Sequence, residues 1–222
     1  RQRQMCIRDR HNNYEQLEQL LSAHHAEYEK VIVVTESIFS MDGDEADLNR
    51  LVRLKRQYDR VLLYVDEAHA VGVRGEHGLG CAEEQGCIGE IDFLCGTFGK
   101  ALASVGGYVV CSRTVHDYLV NKMRTLIFTT ALPPVNLMWT YFIIERLAQF
   151  RDRRQHLQRL SFQLKEGLLA AGYECPSTSH IIPLTIGESG ATVWKAEELP
   201  RKGFYALPVR PPTAVSYTHL RA

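Results

Sequence analysis

Short β-branched runs alternating with helical segments predict an α/β domain on a mostly parallel sheet, followed by a smaller α+β domain. Three observations carry that reading. Val31-Ile32-Val33-Val34 and Val61-Leu62-Leu63-Tyr64-Val65 are continuous apolar runs, the pattern of strands buried on both faces of a parallel sheet. Both end on polar residues, Thr35-Glu36-Ser37 and Asp66, where the chain leaves the sheet. After Pro133-Pro134 the pattern changes to one long helical stretch and then to short strand-like runs.

The elements follow in order. Asn12 or Asn13 caps a first helix, whose Tyr14, Leu17, Leu20 and Leu21 fall at helical spacing. Asp47 caps a second helix, with Leu48, Leu51, Val52, Lys55 and Tyr58 along one side. Ile91–Cys95 reads as a third strand leading into the turn Gly96–Lys100, and Tyr108–Cys111 as a fourth. Val135 to about Gly172 reads as a long connecting helix, charged in its second half. His180–Ile186 then reads as a strand, residues 191–202 as a helix and Phe204–Val209 as a strand.

Composition narrows the function. Lys plus Arg and Asp plus Glu each number 26, so the 222-residue chain carries no net charge and no basic field for nucleic acid or an anionic membrane. The most apolar stretch, Leu132–Ile144, is broken by prolines and is too short to span a bilayer. The six cysteines never form Cys-x-x-Cys and do not cluster with histidines, which argues against zinc and a disulfide framework and for reduced, buried thiols. A soluble cytoplasmic protein is the expectation.

In open parallel sheets ligands gather beyond the carboxyl ends of the strands. Asp66 lies at one such end, and Thr97 and Lys100 follow the next. A lysine amine, a carboxylate and a hydroxyl in that placement are what a pyridoxal phosphate enzyme needs. The amine binds the cofactor and shuttles a proton, the carboxylate holds the pyridine nitrogen protonated, and hydroxyls grip the phosphate. His69 stands within reach of the ring or its 3′-oxygen. Each residue also has a plain alternative, as a turn residue, a solvated lysine or a structural histidine. Asp66-Glu67-Ala68-His69 also spells the box of a helicase-like ATPase. That chemistry needs a Gly-x-x-x-x-Gly-Lys-[Ser/Thr] loop, and the Gly99-Lys100 pair has Leu94 in place of the first glycine and Ala101 after the lysine.

Five segments, taken in order, resemble the α-oxoamine synthases, a branch of the fold-type-I pyridoxal phosphate transferases within the class-II aminotransferase superfamily. They are Glu36–Asp44, Val65–His69, Thr97–Lys100, Phe128–Pro134 and Arg210-Pro211-Pro212-Thr213. The resemblance spans about residues 11–215. Phe98, Ser179–Pro183 and the Arg-Pro-Pro-Thr segment lean toward the branch that joins L-alanine to a pimeloyl thioester in biotin biosynthesis. The glycine C-acetyltransferase and 5-aminolevulinate synthase branches are the alternatives.

The resemblance implies Lys100 as the Schiff-base lysine that removes the substrate α-proton, Asp66 as the pyridinium partner and His69 at the ring. It implies Ser40 and Thr97 at the phosphate and Thr213 at the substrate. Ser37 and Thr129-Thr130 also sit in family motifs, the latter reaching toward a partner subunit, and His180 begins a strand. A homodimer acting on L-alanine and pimeloyl-CoA or pimeloyl-acyl carrier protein is the corresponding expectation.

Departures qualify it. The family's N-terminal Gly/Ser loop and stacking histidine have no counterpart, nor does the arginine beyond Arg-Pro-Pro-Thr, and Ala103 stands where relatives often carry glycine. The expectation is a fragment truncated at both ends and inactive alone. Residues 11–134 would belong to the large domain, 135–172 to the connecting helical region and 173–215 to the small domain. Residues 1–10 and 216–222 read as non-native tails.

Overall fold

The computed structural model describes residues 9–209 and 218–221. Asn13 caps α1 (Tyr14–His24), its side chain accepting the Gln16 N–H at 2.8 Å, while Asn12 takes a left-handed φ of 49°. Asp47 caps α2 (Leu48–Gln57) through the Arg50 N–H at 2.8 Å, which leaves Leu48, Leu51, Val52 and Leu54 free to face inward.

β1 (Val31–Glu36), β2 (Val61–Asp66) and β3 (Phe93–Thr97) run parallel in that order, and β4 (Gly107–Cys111) closes the sheet antiparallel to β3. Val61, Leu63 and Val65 of β2 are buried on one face, where they join Ile38, Leu48, Leu51 and Leu94 in the main core. The short helix α3 (Cys81–Glu84) adds Cys81 and Ala82 to it.

Two strand expectations change. β1 is not buried on both faces: Val33 packs on the core, while Ile32 is 52% and Val34 68% exposed on the opposite face, where Leu62 and Tyr64 of β2 are also only half-buried. β3 begins two residues later than its hydrophobic pattern suggests. The Asp92 carboxylate accepts the Leu63 N–H at 2.7 Å and pairs with Lys55 at 2.7 Å, so a side chain takes a place the backbone ladder would fill.

After β4 come α4 (Arg113–Lys122) and α5 (Arg124–Ile127). The long connecting helix is two helices, α6 (Pro134–Ile144) and α7 (Arg151–Ala170), parted by a 3₁₀ turn at Leu147–Phe150. Pro134 fits the first turn of α6, where a missing N–H costs nothing. The break is held from α7. Arg154, buried, donates to the carbonyls of Leu147 (2.6 Å) and Glu76, fastening the turn to the loop after β2.

The second sheet is smaller. β5 (Pro183–Gly187) and β6 (Leu207–Val209) flank β7 (Thr218–Arg221), antiparallel to both, and α8 (Ser189–Glu198) precedes β6. The strand expected from His180 starts at Pro183, the expected helix at 191–202 ends as a 3₁₀ turn over Leu199–Lys202, and the expected strand from Phe204 starts at Leu207. Residues 218–221, read from sequence as tail without a closing element, form the middle strand. No described helix is long and apolar enough to cross a membrane. The thiols of Cys81, Cys87 and Cys95 are buried, unbridged and pushed by burial above their ordinary range.

Two outcomes test this packing. Ala103 takes a left-handed φ of 49° in the turn after Lys100. Left-handed backbone costs an L-residue roughly 1–2 kcal/mol, and glycine loses roughly 0.5–1 kcal/mol of that gain to chain entropy. Ala103→Gly is therefore expected to raise the urea midpoint, by about 0.5 kcal/mol of stability.

Arg74 joins Glu45 at 2.7 Å and Glu84 at 2.8 Å, and its hydrogen bonds hold the Glu84 carboxyl below its ordinary value of 4.5. That stabilisation is full above 4.5 and is lost as pH falls through the depressed value. Urea titrations at neutral and acid pH should show the loss, and Glu84→Gln should flatten it.

Candidate active site

The parallel register sets Glu36 and Asp66, at the carboxyl ends of β1 and β2, side by side with Cys95 in the middle of β3. Two backbone bonds carry the pairing one residue further: Ser37 N–H to the Asp66 carbonyl at 2.9 Å, and Glu67 N–H to the Cys95 carbonyl at 2.7 Å. The chain leaving β2 is thus held on both sides as it turns. Asp66 shapes that turn too, one carboxylate oxygen accepting the Ala68 N–H at 2.7 Å.

The turn presents His69, whose Nε2 lies 2.9 Å from Lys100 Nζ. Lys100 comes from the segment joining β3 to β4, a tight excursion in which Phe98 N–H bonds the Gly106 carbonyl (2.9 Å) and Ser104 N–H the Phe98 carbonyl (2.8 Å). Residues 31 positions apart meet because their strands are neighbours in the sheet.

Glu36 is a carboxylate of this site that the motif reading did not single out. Burial pushes its carboxyl above the ordinary range and the nearby charge of Asp66 adds to the effect. Lys100 and a hydrogen bond from the Ser40 backbone pull it back. Its place at a strand end, one residue before Ser37, is the signal in the sequence that marks it.

The other expected residues divide. Thr97 lies at the end of β3; its hydroxyl donates to the Gly106 carbonyl at 3.1 Å and accepts the Gly99 N–H at 3.1 Å. Ser40 is half-buried beside Glu36. Ser37 is wholly buried and bonds Glu67 rather than facing the open end of the sheet. Thr129 and Thr130 are exposed in the segment between α5 and α6. His180 lines a cavity of about 440 Å³ with Arg74, Arg151 and Lys165. It is not a strand-start residue, since β5 begins at Pro183. Thr213 lies outside the described residues.

A family model described as aminotransferase class I and II matches residues 3–222. A protein of Glaesserella parasuis, named provisionally as 8-amino-7-oxononanoate synthase, is 56% identical over 208 residues, covering 93% of this chain and 55% of its own length. Serine palmitoyltransferase of Sphingomonas wittichii has the same fold with a TM-score of 0.89 at 33% identity, over 97% of this chain and 55% of its own. Serine palmitoyltransferase from S. paucimobilis, solved with bound PLP-myriocin aldimine, superposes with a TM-score of 0.86 at 31% identity, again over 97% of this chain and 55% of its own. The chain spans about half the length of the curated relatives it matches. With a model match over residues 3–222 and the fold shared at high TM-score, this chain belongs to the aminotransferase class I and II family.

Proposed function

We propose that the protein to which this chain corresponds is a pyridoxal phosphate-dependent acyltransferase that condenses L-alanine with a pimeloyl thioester. The observation that carries the reading is the 2.9 Å contact of Lys100 with His69 at the carboxyl ends of strands that also bear Asp66. The donor set fits the cofactor: a primary amine, a carboxylate, an imidazole and two hydroxyls in one region of the sheet. Asp66 is assigned to the pyridine nitrogen, His69 to the ring, and Ser40 and Thr97 to the phosphate. Thr97 takes that role by giving up its bond to the Gly106 carbonyl. Bound there, pyridoxal phosphate supplies an electron-accepting ring that stabilises negative charge on the substrate α-carbon.

The chain's own residues handle the protons. Lys100 Nζ accepts the α-proton of alanine, and His69 Nε2 is near enough to hydrogen-bond that amine as its charge changes. Asp66 keeps a proton on the nitrogen it faces, because an ionised carboxylate favours the charged pyridinium. In the net reaction the alanine α-carbon bonds the thioester carbonyl carbon and the thiol leaves. The alanine carboxylate departs as carbon dioxide, giving 8-amino-7-oxononanoate. Thr213 is assigned to the substrate. The thioester carrier is coenzyme A or acyl carrier protein. The 56% identity to a relative named for this product favours alanine over the glycine used by sister branches.

A second copy of the chain completes the proposal. α6 is apolar on nearly every side, and its Val135, Met138 and Tyr141 are all exposed. Exposed apolar surface gathered on one element marks a protein interface. Sedimentation should show a dimer at micromolar concentration, and Met138→Glu should shift it toward monomer.

Two further outcomes test the chemistry. Reconstitution with pyridoxal phosphate should produce visible absorbance that Lys100→Ala abolishes; an unchanged spectrum removes the lysine from its role. These 222 residues alone are expected to show at most trace release of thiol from pimeloyl-CoA with alanine, and robust turnover would overturn that expectation.

A further inference from the structure

The carboxylate of Glu67 is sealed beneath the site. It is wholly buried, and it accepts three bonds: the Ser37 hydroxyl at 2.6 Å, the Ala82 N–H at 2.7 Å and the Cys81 N–H at 3.0 Å. Ser37 leaves β1, Glu67 leaves β2, and Cys81 and Ala82 begin α3. One side chain therefore ties together the ends of two neighbouring strands and the start of α3. Gly80 makes room for it: φ there is 108°, and a Cβ would stand 2.6 Å from the carboxylate carbon. Ser37 is itself doubly used, its N–H on the Asp66 carbonyl and its hydroxyl on Glu67. Burial raises the Glu67 carboxyl, and its three donors, with Arg74 nearby, oppose that rise. Cys81, Cys87 and Tyr108 are the other titratable groups that feel its charge.

We propose that Ser37 and Glu67 are a buried positioning pair that fixes the Asp66–His69 turn and, through it, the contact of His69 with Lys100. Neither touches the reacting atoms. Glu67 has Asp66 on one side in sequence and is two residues from His69, and its own N–H bonds the Cys95 carbonyl of β3 at 2.7 Å. A tilt of this turn moves His69 directly, since His69 is two residues from Glu67. The inference rests on the cofactor site proposed above, and its test separates the two.

The test uses the full chain and Ser37→Ala, with Ser37→Cys as a near-isosteric second variant should the first not fold. Circular dichroism and urea titration report the fold. The imidazole proton resonance of His69, assigned by its loss in His69→Asn, is titrated by NMR without cofactor, with exposed His116 on α4 as the internal control. We expect the His69 midpoint to move by about 0.5 pH unit or more in the folded variant, with that of His116 unchanged. Pyridoxal phosphate affinity, read by the Lys100-dependent absorbance, should fall about threefold, a part of what one buried hydrogen bond contributes. A folded variant whose His69 titration matches wild type overturns the proposal, whatever the cofactor does. A wild-type chain that never gains Lys100-dependent absorbance defeats the cofactor reading, and the His69 titration still decides the positioning pair.

Discussion

The parallel register of β1, β2 and β3 is the constraint on which the site depends. It places Glu36 beside Asp66 and Asp66 beside Cys95, with β3 running two residues further to Thr97. Burial is the main reason Glu36 holds its proton more tightly than usual, and repulsion from the neighbouring Asp66 carboxylate adds to it. A cation there is favoured on the same electrostatic grounds. Lys100 supplies it, delivered by the excursion between β3 and the antiparallel β4.

Holding such a site open to solvent demands rigidity from below, and the structure supplies it with polar groups. Burying a carboxylate is costly unless its lone pairs are filled. Glu67 meets that condition with one hydroxyl and two backbone N–H groups, drawn from the end of β1 and the start of α3. Arg74 does similar work further out, bridging Glu45 from the loop after β1 to Glu84 on α3. Arg154 pins the turn between α6 and α7 against the loop after β2 by backbone carbonyls alone. Strain remains at Ala103, three residues past the lysine, in a conformation that suits glycine.

How much of this was legible in the sequence depended on distance along the chain. β2 and its terminal Asp66 were readable because an apolar run ending on one acid is a local pattern. The caps at Asn13 and Asp47 were readable for the same reason. β1 was misjudged because a run of valines looks the same whether one face of the sheet is covered or both; what packs on each face decides, and the face bearing Ile32 and Val34 is open. The long helix after Pro133 was misjudged because its interruption is held by Arg154 reaching the carbonyl of Glu76, a contact across 78 positions. Motif order singled out Lys100, Asp66 and His69. It passed over Glu67, whose meaning lies in donors 14, 15 and 30 residues away. β7 went unseen because its four residues gain strand character only from partners on both sides.

The central claim is that Lys100 is the cofactor lysine of this family member, and covalent mapping tests it most directly. The chain is incubated with pyridoxal phosphate, reduced with borohydride and digested, and the peptides are weighed. The account predicts that the cofactor mass sits on the peptide containing Gly96-Thr97-Phe98-Gly99-Lys100, and that His69→Asn lowers its yield. Label spread evenly over the surface lysines, with Lys100 no richer than the rest, would contradict it.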